Sequence, residues 1–180
     1  MNGTQLLSRR YAQAFMHVYG KDIIESVFEK IRELVSFLLT HRKALFFLQL
    51  PHIPSDKKIT ILTELLVEQF KLPGSFEPLI KQLVDHKRSF LIAKILHQIA
   101  QLYMKEHNIE AFIFTSSHEL TKAQLEEMKR YLADRLGKDI IYEYKIDKTL
   151  IAGIRLLSDT HIWEYSIAQQ LHRVSLPLLA

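Results

Sequence analysis

The sequence contains no cysteine and few residues that interrupt helices. Five glycines and five prolines in 180 residues favour helices over a loop-rich β fold. The absence of cysteine excludes disulfides, thiolate catalysis and cysteine metal sites. Hydrophobic residues make up 48% of the chain and charged residues 24%, which is the composition of a globular protein and not of a disordered one.

Long hydrophobic runs and ligand-binding motifs are missing as well. The densest apolar run, Ala44 to Leu48, is five residues long, whereas a helix needs about 18 apolar residues to cross a bilayer. The phosphate-binding patterns GxxxxGK[ST] and GxGxxG do not occur, and the nine histidines lack the HExxH spacing of a zinc site. We therefore expect no catalytic residues, no metal, no cofactor and no direct insertion into a membrane.

The net charge of +4 is unevenly distributed. Residues 1–108 carry 15 Lys and Arg against 10 Asp and Glu, and residues 109–180 carry 9 against 10. This difference predicts two modules with different partners. A basic helical nucleic-acid-binding module is therefore an alternative function, although the excess is small and no dense stripe of Lys and Arg is present.

Hydrophobic residues in the N-terminal half recur at three- and four-residue steps, which is typical of helices packed around a core. This spacing predicts a six-helix bundle over residues 1–108, with Phe90 among the buried side chains of the last helix. The predicted helices are 5–19, 22–39 with Asp22 as its cap, a short apolar helix ended by Pro51, 55–70 with Ser55 as its cap, 76–85 and 89–107.

At Ile109 the period changes to an alternation rich in β-forming residues. It predicts strands at 109–116 and 139–147, separated by a helix that Thr121 caps, with Gln124 completing a capping box and Gly137 ending it. The fold class is therefore α+β overall: a six-helix bundle (1–108) followed by a small α/β domain (109–180) with a C-terminal hairpin and helix.

The predicted hairpin has arms at 153–158 and 161–165, with a turn at Ser158, Asp159 and Thr160, residue types that favour turns. A last helix, 166–178, has apolar residues on one side, namely Ile167, Leu171 and Val174. Gly153 enters the hairpin, where the missing Cβ permits a bulge or a close contact. This glycine is interpreted as structural.

Three stretches carry a family resemblance. They are "SRRYAQAFMHVY" near the N-terminus, "FIFTSSHELTKAQLEEMKRYLADRLGKDI", and "IDKTLIAGIRLLSDTHIWEYSIAQQLHRV" near the C-terminus. Together they resemble the delta subunit family of F-type ATP synthases, whose mitochondrial member is the oligomycin-sensitivity-conferring protein. The positions that match are Arg9, Tyr11, Ala12, Ala14 and Phe15 in the opening motif, and Asp147, Leu150, Ile151, Gly153, Ser166 and Leu171 in the C-terminal signature. The resemblance covers essentially the whole chain in the right order.

The chain departs from the family pattern at hairpin bends. Ala152 replaces the first glycine of a Gly-Gly pair, Ser158-Asp159 stands where Gly-Asp is usual, and Glu164-Tyr165 replaces Asp-Gly. A turn that requires a positive φ would cost energy at these non-glycine residues.

The resemblance implies a non-catalytic stator subunit, present as one copy in a hetero-oligomeric complex. In the family, the helical domain binds the N-terminal helix of an alpha subunit of the catalytic head, and the C-terminal domain meets the b subunits of the peripheral stalk. Rotation is thereby coupled to ATP synthesis and proton transport. The implied location is the cytoplasmic face of a bacterial inner membrane, as a peripheral protein.

In the family the alpha-subunit helix lies against the first and fifth helices. This implies a set of partner-binding residues here: Leu7, Tyr11, Ala14, Phe15 and Val18 on the first helix, with Leu79, Ile80 and Leu83 opposite. The alternative for each of these residues is a place in the interior core.

Overall fold

A computed structural model describes residues 3–41 and 53–175, and the side chains of these residues up to 171. The chain divides into two compact units, Met1–Met104 and Lys105–Ala180. In the described ranges the fold is α+β, with seven α-helices and one four-stranded sheet.

The first unit is helical. Its described helices are α1 (Gly3–Tyr19), α2 (Glu25–Thr40), α3 (Ser55–Thr63), α4 (Phe76–Asp85) and α5 (Ile92–Glu106). α3 continues into a π-helical turn at Glu64–Gln69. The short apolar helix predicted before Pro51 lies outside the described residues, so five of the six predicted helices have a counterpart.

Aromatic contacts join the helices of this unit around its core. The ring centroids of Phe15 and Phe76 are 4.6 Å apart, and the rings of Phe28 and Tyr103 stack at 4.6 Å. The remaining core is aliphatic, with fully buried side chains on α2, α3, α4 and α5, including Ile31, Leu34, Leu62, Ile80, Leu83 and Ile95. The three- and four-residue spacing of the sequence therefore identified the inward face of α2 correctly, whereas on α1 it also included residues that are exposed, such as Val18.

Two predicted helix caps are wrong. Asp22 lies in a 3₁₀ turn, because the buried Ile23 must reach the core in a non-helical conformation before α2 begins at Glu25. Ser55 is the first residue of α3, since the extended Pro54 already occupies the capping position. Phe90, predicted to be buried, is exposed, because it lies in a 3₁₀ turn that directs its neighbours Ser89 and Leu91 inward.

The second unit is built on one sheet. Its elements are β1 (Ile109–Ser116), α6 (Lys122–Leu136), β2 (Asp139–Ile146), β3 (Gly153–Leu157), β4 (Ile162–Ser166) and α7 (Ile167–Ser175). The strand order is β2-β1-β3-β4, in which β1 and β2 are parallel and both other pairs are antiparallel. β2 and β4 are therefore the two edges.

Short-range sequence signals predicted β1 and the ends of α6 correctly. β1 has the predicted bounds, and α6 begins with the predicted capping box, in which the Gln124 N–H donates to the Thr121 side chain and Gln124 Oε1 accepts from the Thr121 N–H. Gly137 ends α6 in the left-handed conformation, with φ 63°. α6 covers one face of the sheet, where the core side chains are Phe112, Phe114, Leu125, Leu132, Ile140 and Leu156.

Gly153 is structural, as the sequence predicted. Its φ is +119°, and a Cβ there would overlap the backbone oxygen of Tyr165 and come within 2.7 Å of the Ser166 Cα. β3 and β4 can approach this closely only because residue 153 has no side chain.

The residues that differ from the family pattern at the hairpin bends do not adopt a left-handed backbone conformation. In the described ranges, the non-glycine residues with positive φ are Lys71, Lys87, Asn108 and Ile151. Ala152, Ser158, Glu164 and Tyr165 are not among them, so these replacements carry no strain of that kind. The strained position is the neighbouring Ile151.

The Gly153→Ala substitution is expected to destabilise the second unit by more than about 3 kcal/mol, because it adds a backbone clash to a φ that alanine rarely adopts. Gly137→Ala is the matched control, since its φ is also positive but nothing lies within 4 Å of a Cβ there; it should cost only about 1–2 kcal/mol. Urea unfolding followed by the fluorescence of Trp163, the only tryptophan, measures both. Equal losses would contradict the argument.

Candidate functional site

An apolar stripe runs along α1 beside the core. Leu7, Tyr11, Ala14 and Val18 follow one another at steps of four, three and four residues, which places them on one side of a helix. Leu7 and Tyr11 are half-buried, Ala14 is exposed and Val18 is 67% exposed. These four residues form the α1 stripe, and all of them belong to the predicted partner-binding set.

The other four residues of the predicted set lie in the core. Phe15 packs against Phe76, and Leu79, Ile80 and Leu83 are buried along the single apolar face of α4. The structure therefore does not bring these four to the surface. The predicted partner roles of all eight residues remain predictions, and the α1 stripe is the part that a partner can reach.

Positive charge flanks the α1 stripe. Arg88 donates a hydrogen bond from Nη1 to the Tyr11 hydroxyl over 3.0 Å, which holds the tyrosine ring in place. Arg10 is exposed on the same helix, one residue before Tyr11. An apolar stripe with cations beside it fits an amphipathic helix that carries acidic residues next to its own apolar face.

A second exposed apolar surface lies where β4 turns into α7. The Ile167 N–H donates to the Ala152 carbonyl over 2.9 Å, which places Ile151 beside the start of α7. Tyr165 is 76% exposed and Leu171, one helical turn after Ile167, is 56% exposed. Ile151, Tyr165, Ile167 and Leu171 are here called the corner surface. Apolar residues four apart on α7 signalled this surface in the sequence, but not that it faces solvent.

The corner surface contains a strained turn. Ile151 has φ 64° and ψ −64°, and the Ala152 N–H donates to the Leu150 carbonyl over 2.7 Å. This is a classical γ-turn, a rare conformation that is especially unfavourable for a β-branched residue. Leu150 is fully buried and anchors the turn, so the chain tolerates about 1–3 kcal/mol of strain while it holds an apolar side chain in solvent.

A buried carboxylate fixes the opposite end of the hairpin. Glu110 on β1 accepts hydrogen bonds from Ser158 Oγ at 2.6 Å, Thr160 Oγ1 at 2.7 Å and Lys138 Nζ at 3.0 Å, and His161 Nδ1 lies 2.9 Å away. Burial raises the pKa of Glu110, but the bonds from these four side chains outweigh it and lower the pKa from 4.5 to about 2. The turn between β3 and β4 is thereby tied to β1.

An ion pair crosses β3 and β4. Arg155 donates to Glu164 from Nε at 2.7 Å and from Nη2 at 3.2 Å, and Ser166 Oγ also donates to this carboxylate at 2.6 Å. The Arg155 bond, with that from Ser166, lowers the pKa of Glu164. The charge on β4 is therefore matched within the sheet itself.

The described residues offer no arrangement of three or more His, Asp or Glu side chains that could hold a metal ion. Within the same ranges, none of the helices has the length and apolar character needed to cross a bilayer.

Comparison with known proteins places the chain in a family. Residues 7–178 match the family model described as the ATP synthase delta (OSCP) subunit. The chain belongs to this family. Similar proteins include the ATP synthase subunit delta of Chlorobium phaeovibrioides, 28% identical over 177 residues (97% of this chain and 96% of the relative), and that of Wigglesworthia glossinidia brevipalpis, 26% identical over 170 residues (94% and 93%).

A solved structure shares the fold of this chain. A chain of the Toxoplasma gondii mitochondrial ATP synthase hexamer superposes with a TM-score of 0.72 at 24% identity, covering 97% of this chain and 98% of that one. Delta-family members are non-catalytic subunits of the F-type ATP synthase and belong to its peripheral stalk, and the chain is one of them. The resemblance identified from the sequence motifs is thereby confirmed.

The low pKa of Glu110 predicts how stability depends on pH. A folded-state pKa of about 2 against 4.5 means that the carboxylate contributes stability above pH 4.5 and that this contribution is lost as the pH falls towards 2. Glu110→Gln should therefore lower the free energy of unfolding of the second unit by about 2–3 kcal/mol at pH 7. The difference from the native chain should shrink to under about 1 kcal/mol at pH 2.

Glu143→Gln is the control for this prediction, because Glu143 forms an exposed ion pair with Lys145 at 3.2 Å and such pairs contribute about 0–1 kcal/mol. Urea unfolding at the two pH values, followed by Trp163 fluorescence, measures both variants. A Glu110→Gln effect that does not change with pH would refute the electrostatic explanation.

Proposed function

We propose that this delta-family chain joins the catalytic head of an F-type ATP synthase to its peripheral stalk through two separate surfaces. The helical part, residues 1–108, binds the N-terminal helix of an alpha subunit. The α/β part, residues 109–180, binds the b subunits. One copy acts in each complex, at the cytoplasmic face of a bacterial inner membrane, and is held there by its protein partners.

The observation that supports this proposal best is that each unit exposes an apolar surface next to its own complete core. The first unit buries Phe15 and Phe76 and still leaves the α1 stripe uncovered. The second buries Phe112 and Phe114 and leaves the corner surface uncovered. Exposed apolar residues grouped on one element in this way favour a site for a protein partner.

The α1 stripe suits a helix of the alpha subunit. Side chains at steps of four, three and four residues present a straight apolar ridge, which is the surface that an amphipathic helix recognises. Burying a side chain such as Val18 contributes about 1.5–3 kcal/mol, and the small Ala14 lets a second helix approach closely. Arg10 and Arg88 are placed to attract acidic residues beside the partner's apolar face.

The corner surface suits the stalk. Ile151, Ile167 and Leu171 are aliphatic, and Tyr165 adds an aromatic ring of the type enriched at binding hot spots. Strained residues cluster at binding sites, which gives the γ-turn at Ile151 a role in displaying its side chain. The match to the family model favours this function over the nucleic-acid-binding alternative.

Val18→Glu is expected to weaken binding of a synthetic peptide copying the N-terminal helix of the alpha subunit by at least tenfold, because it places a carboxylate in the apolar contact. Leu6→Glu is the matched control: Leu6 is 46% exposed on the same helix but lies on another side, so its effect should stay within about twofold. Isothermal titration calorimetry measures both. Equal losses of affinity in the two variants would mean that the peptide does not bind on the α1 stripe.

Leu171→Glu is expected to weaken binding of the cytoplasmic part of the b subunit by at least tenfold and to leave binding of the alpha peptide unchanged. Val18→Glu should show the reverse pattern, because the two surfaces lie on different units. Titrating both ligands against both variants tests the two assignments together. A variant that loses both ligands would show that the surfaces are not independent.

A further inference from the structure

The two edge strands of the sheet, β2 and β4, differ in how many charged residues they carry. Exposed sheet edges invite pairing with other chains, and proteins block them with charges, prolines or bulges. β2 carries the exposed charged residues Asp139, Glu143 and Lys145. β4 has the sequence IWEYS, and its one charge, on Glu164, is already paired with Arg155. Within residues 3–41 and 53–175, β4 is therefore an unprotected edge.

The register shows which backbone groups of β4 are unpaired. The Ser158 N–H donates to the His161 carbonyl and the Ile167 N–H to the Ala152 carbonyl, so these two pairs are hydrogen-bonded pairs of the hairpin. Hydrogen-bonded and non-hydrogen-bonded pairs alternate in an antiparallel ladder. With Leu156 opposite Trp163, the backbone groups of Trp163 and Tyr165 point towards β3. Those of Ile162 and Glu164 point away from it.

Among the described residues, β4 has β3 as its sole strand neighbour. The N–H and C=O groups of Ile162 and Glu164 thus form a free row of two donors and two acceptors. Ile162 is 70% exposed, although a protected edge would carry a lysine or a proline at such a position.

A cavity of about 310 Å³ opens along the same strand. Trp163 pairs with Leu156 and Tyr165 with Ile154, so these four side chains lie on one face of the sheet. All four line the cavity, together with Gln169 from α7 and with Ile162 and Glu164. A strand added to β4 would place every second side chain over this cavity.

We propose that β4 accepts an extended segment of the stalk partner as a fifth strand, with an apolar or aromatic side chain of that segment in the cavity beside Trp163 and Tyr165. This inference rests on the proposed function, because it specifies how the b subunits bind the second unit. Strand addition supplies affinity through main-chain hydrogen bonds and specificity through pockets for alternate side chains.

The length of β4 and its continuity with the corner surface indicate which partner pairs with this strand. β4 has five residues, whereas a stable interface engages about 20–30 residues on each side, so a partner that pairs with β4 must also contact surface beyond it. Tyr165 belongs both to β4 and to the corner surface, and α7 follows β4 without a break. A partner that covers the corner surface therefore reaches the edge as well.

The geometry specifies the chemistry of the segment. It needs free N–H groups opposite Ile162 and Glu164, which excludes proline at the pairing positions. Its side chain over the cavity is apolar or aromatic, since Leu156, Ile154 and the two aromatic residues line that side. Next to Glu164 the segment requires no cation, because Arg155 already supplies one.

Amide hydrogen exchange, measured by NMR on the full chain with and without the cytoplasmic part of the b subunit, tests the proposal within one strand. In the free chain the amides of Trp163 and Tyr165 should be protected and those of Ile162 and Glu164 should exchange quickly. In the complex, Ile162 and Glu164 should gain at least tenfold protection. The amides already bonded to β3 serve as the internal control.

Two variants at one position add a test by affinity. Ile162→Pro removes an N–H that faces away from β3, so the hairpin ladder remains, and the b-subunit affinity should fall at least tenfold. Ile162→Thr keeps the N–H and removes apolar surface, and its loss should be no more than about threefold. Equal losses would assign the contact to the side chain and overturn strand addition. Circular dichroism checks that both variants fold, and the exchange experiment needs no substitution.

The other outcomes are distinct. Binding of the b subunit with the Ile162 and Glu164 amides still exchanging quickly would overturn strand addition and leave the proposed function intact. Absence of any binding would overturn the proposed function itself. Protection of these amides in the free chain would mean that the chain, or a second copy at high concentration, covers its own edge, and this too would overturn the proposal.

Discussion

The close approach of β3 and β4 at Gly153 is the constraint on which the second unit depends. The Gly153 backbone lies against Tyr165 and Ser166 there. At the adjacent pair of residues, the Ile167 N–H donates to the Ala152 carbonyl. The direction in which α7 leaves the sheet is fixed there. At the other end of the hairpin, Glu110 ties the turn to β1. A hairpin held at both ends presents its free edge and its corner in one arrangement, which reduces the entropy cost of binding.

The two units solve the same physical problem in the same way. Each forms a core from its own residues, and buried polar side chains such as Ser8 in the first unit and Glu110 and Ser166 in the second have hydrogen-bond partners. Apolar residues that the core does not need, such as Val18 and Leu171, are left outside. Exposing them costs little stability, because burial of the core already holds the fold. Their free energy of burial therefore remains available for association.

Sequence periodicity predicted the helices and strands well, and the burial of individual side chains less well. β1, the capping box at Thr121 and the stop at Gly137 were correct because each depends on residues within a few positions of one another. The spacing on α1 could not tell Phe15, which is buried, from Val18, which is exposed, because the apolar stripe is wider than the face that its neighbours cover. The γ-turn at Ile151 has no local signature. Its strain is imposed by the burial of Leu150 and by the β4 contact, both of which are tertiary.

A stator has to resist torque for many turnovers without holding either partner irreversibly. The two surfaces proposed on separate units would meet this requirement, since a partner that dissociates from one unit stays near it through the rest of the complex. Rebinding then occurs at an effective concentration that can reach the millimolar range. The proposed apolar contacts on α1 and on α7 would resist separation through the area that they bury. In the proposed strand addition, main-chain hydrogen bonds along β4 would resist sliding, because a force along the strand acts on all of them together. A joint built from both kinds of contact needs no titrating or metal-binding group, which accords with the non-catalytic role of the family.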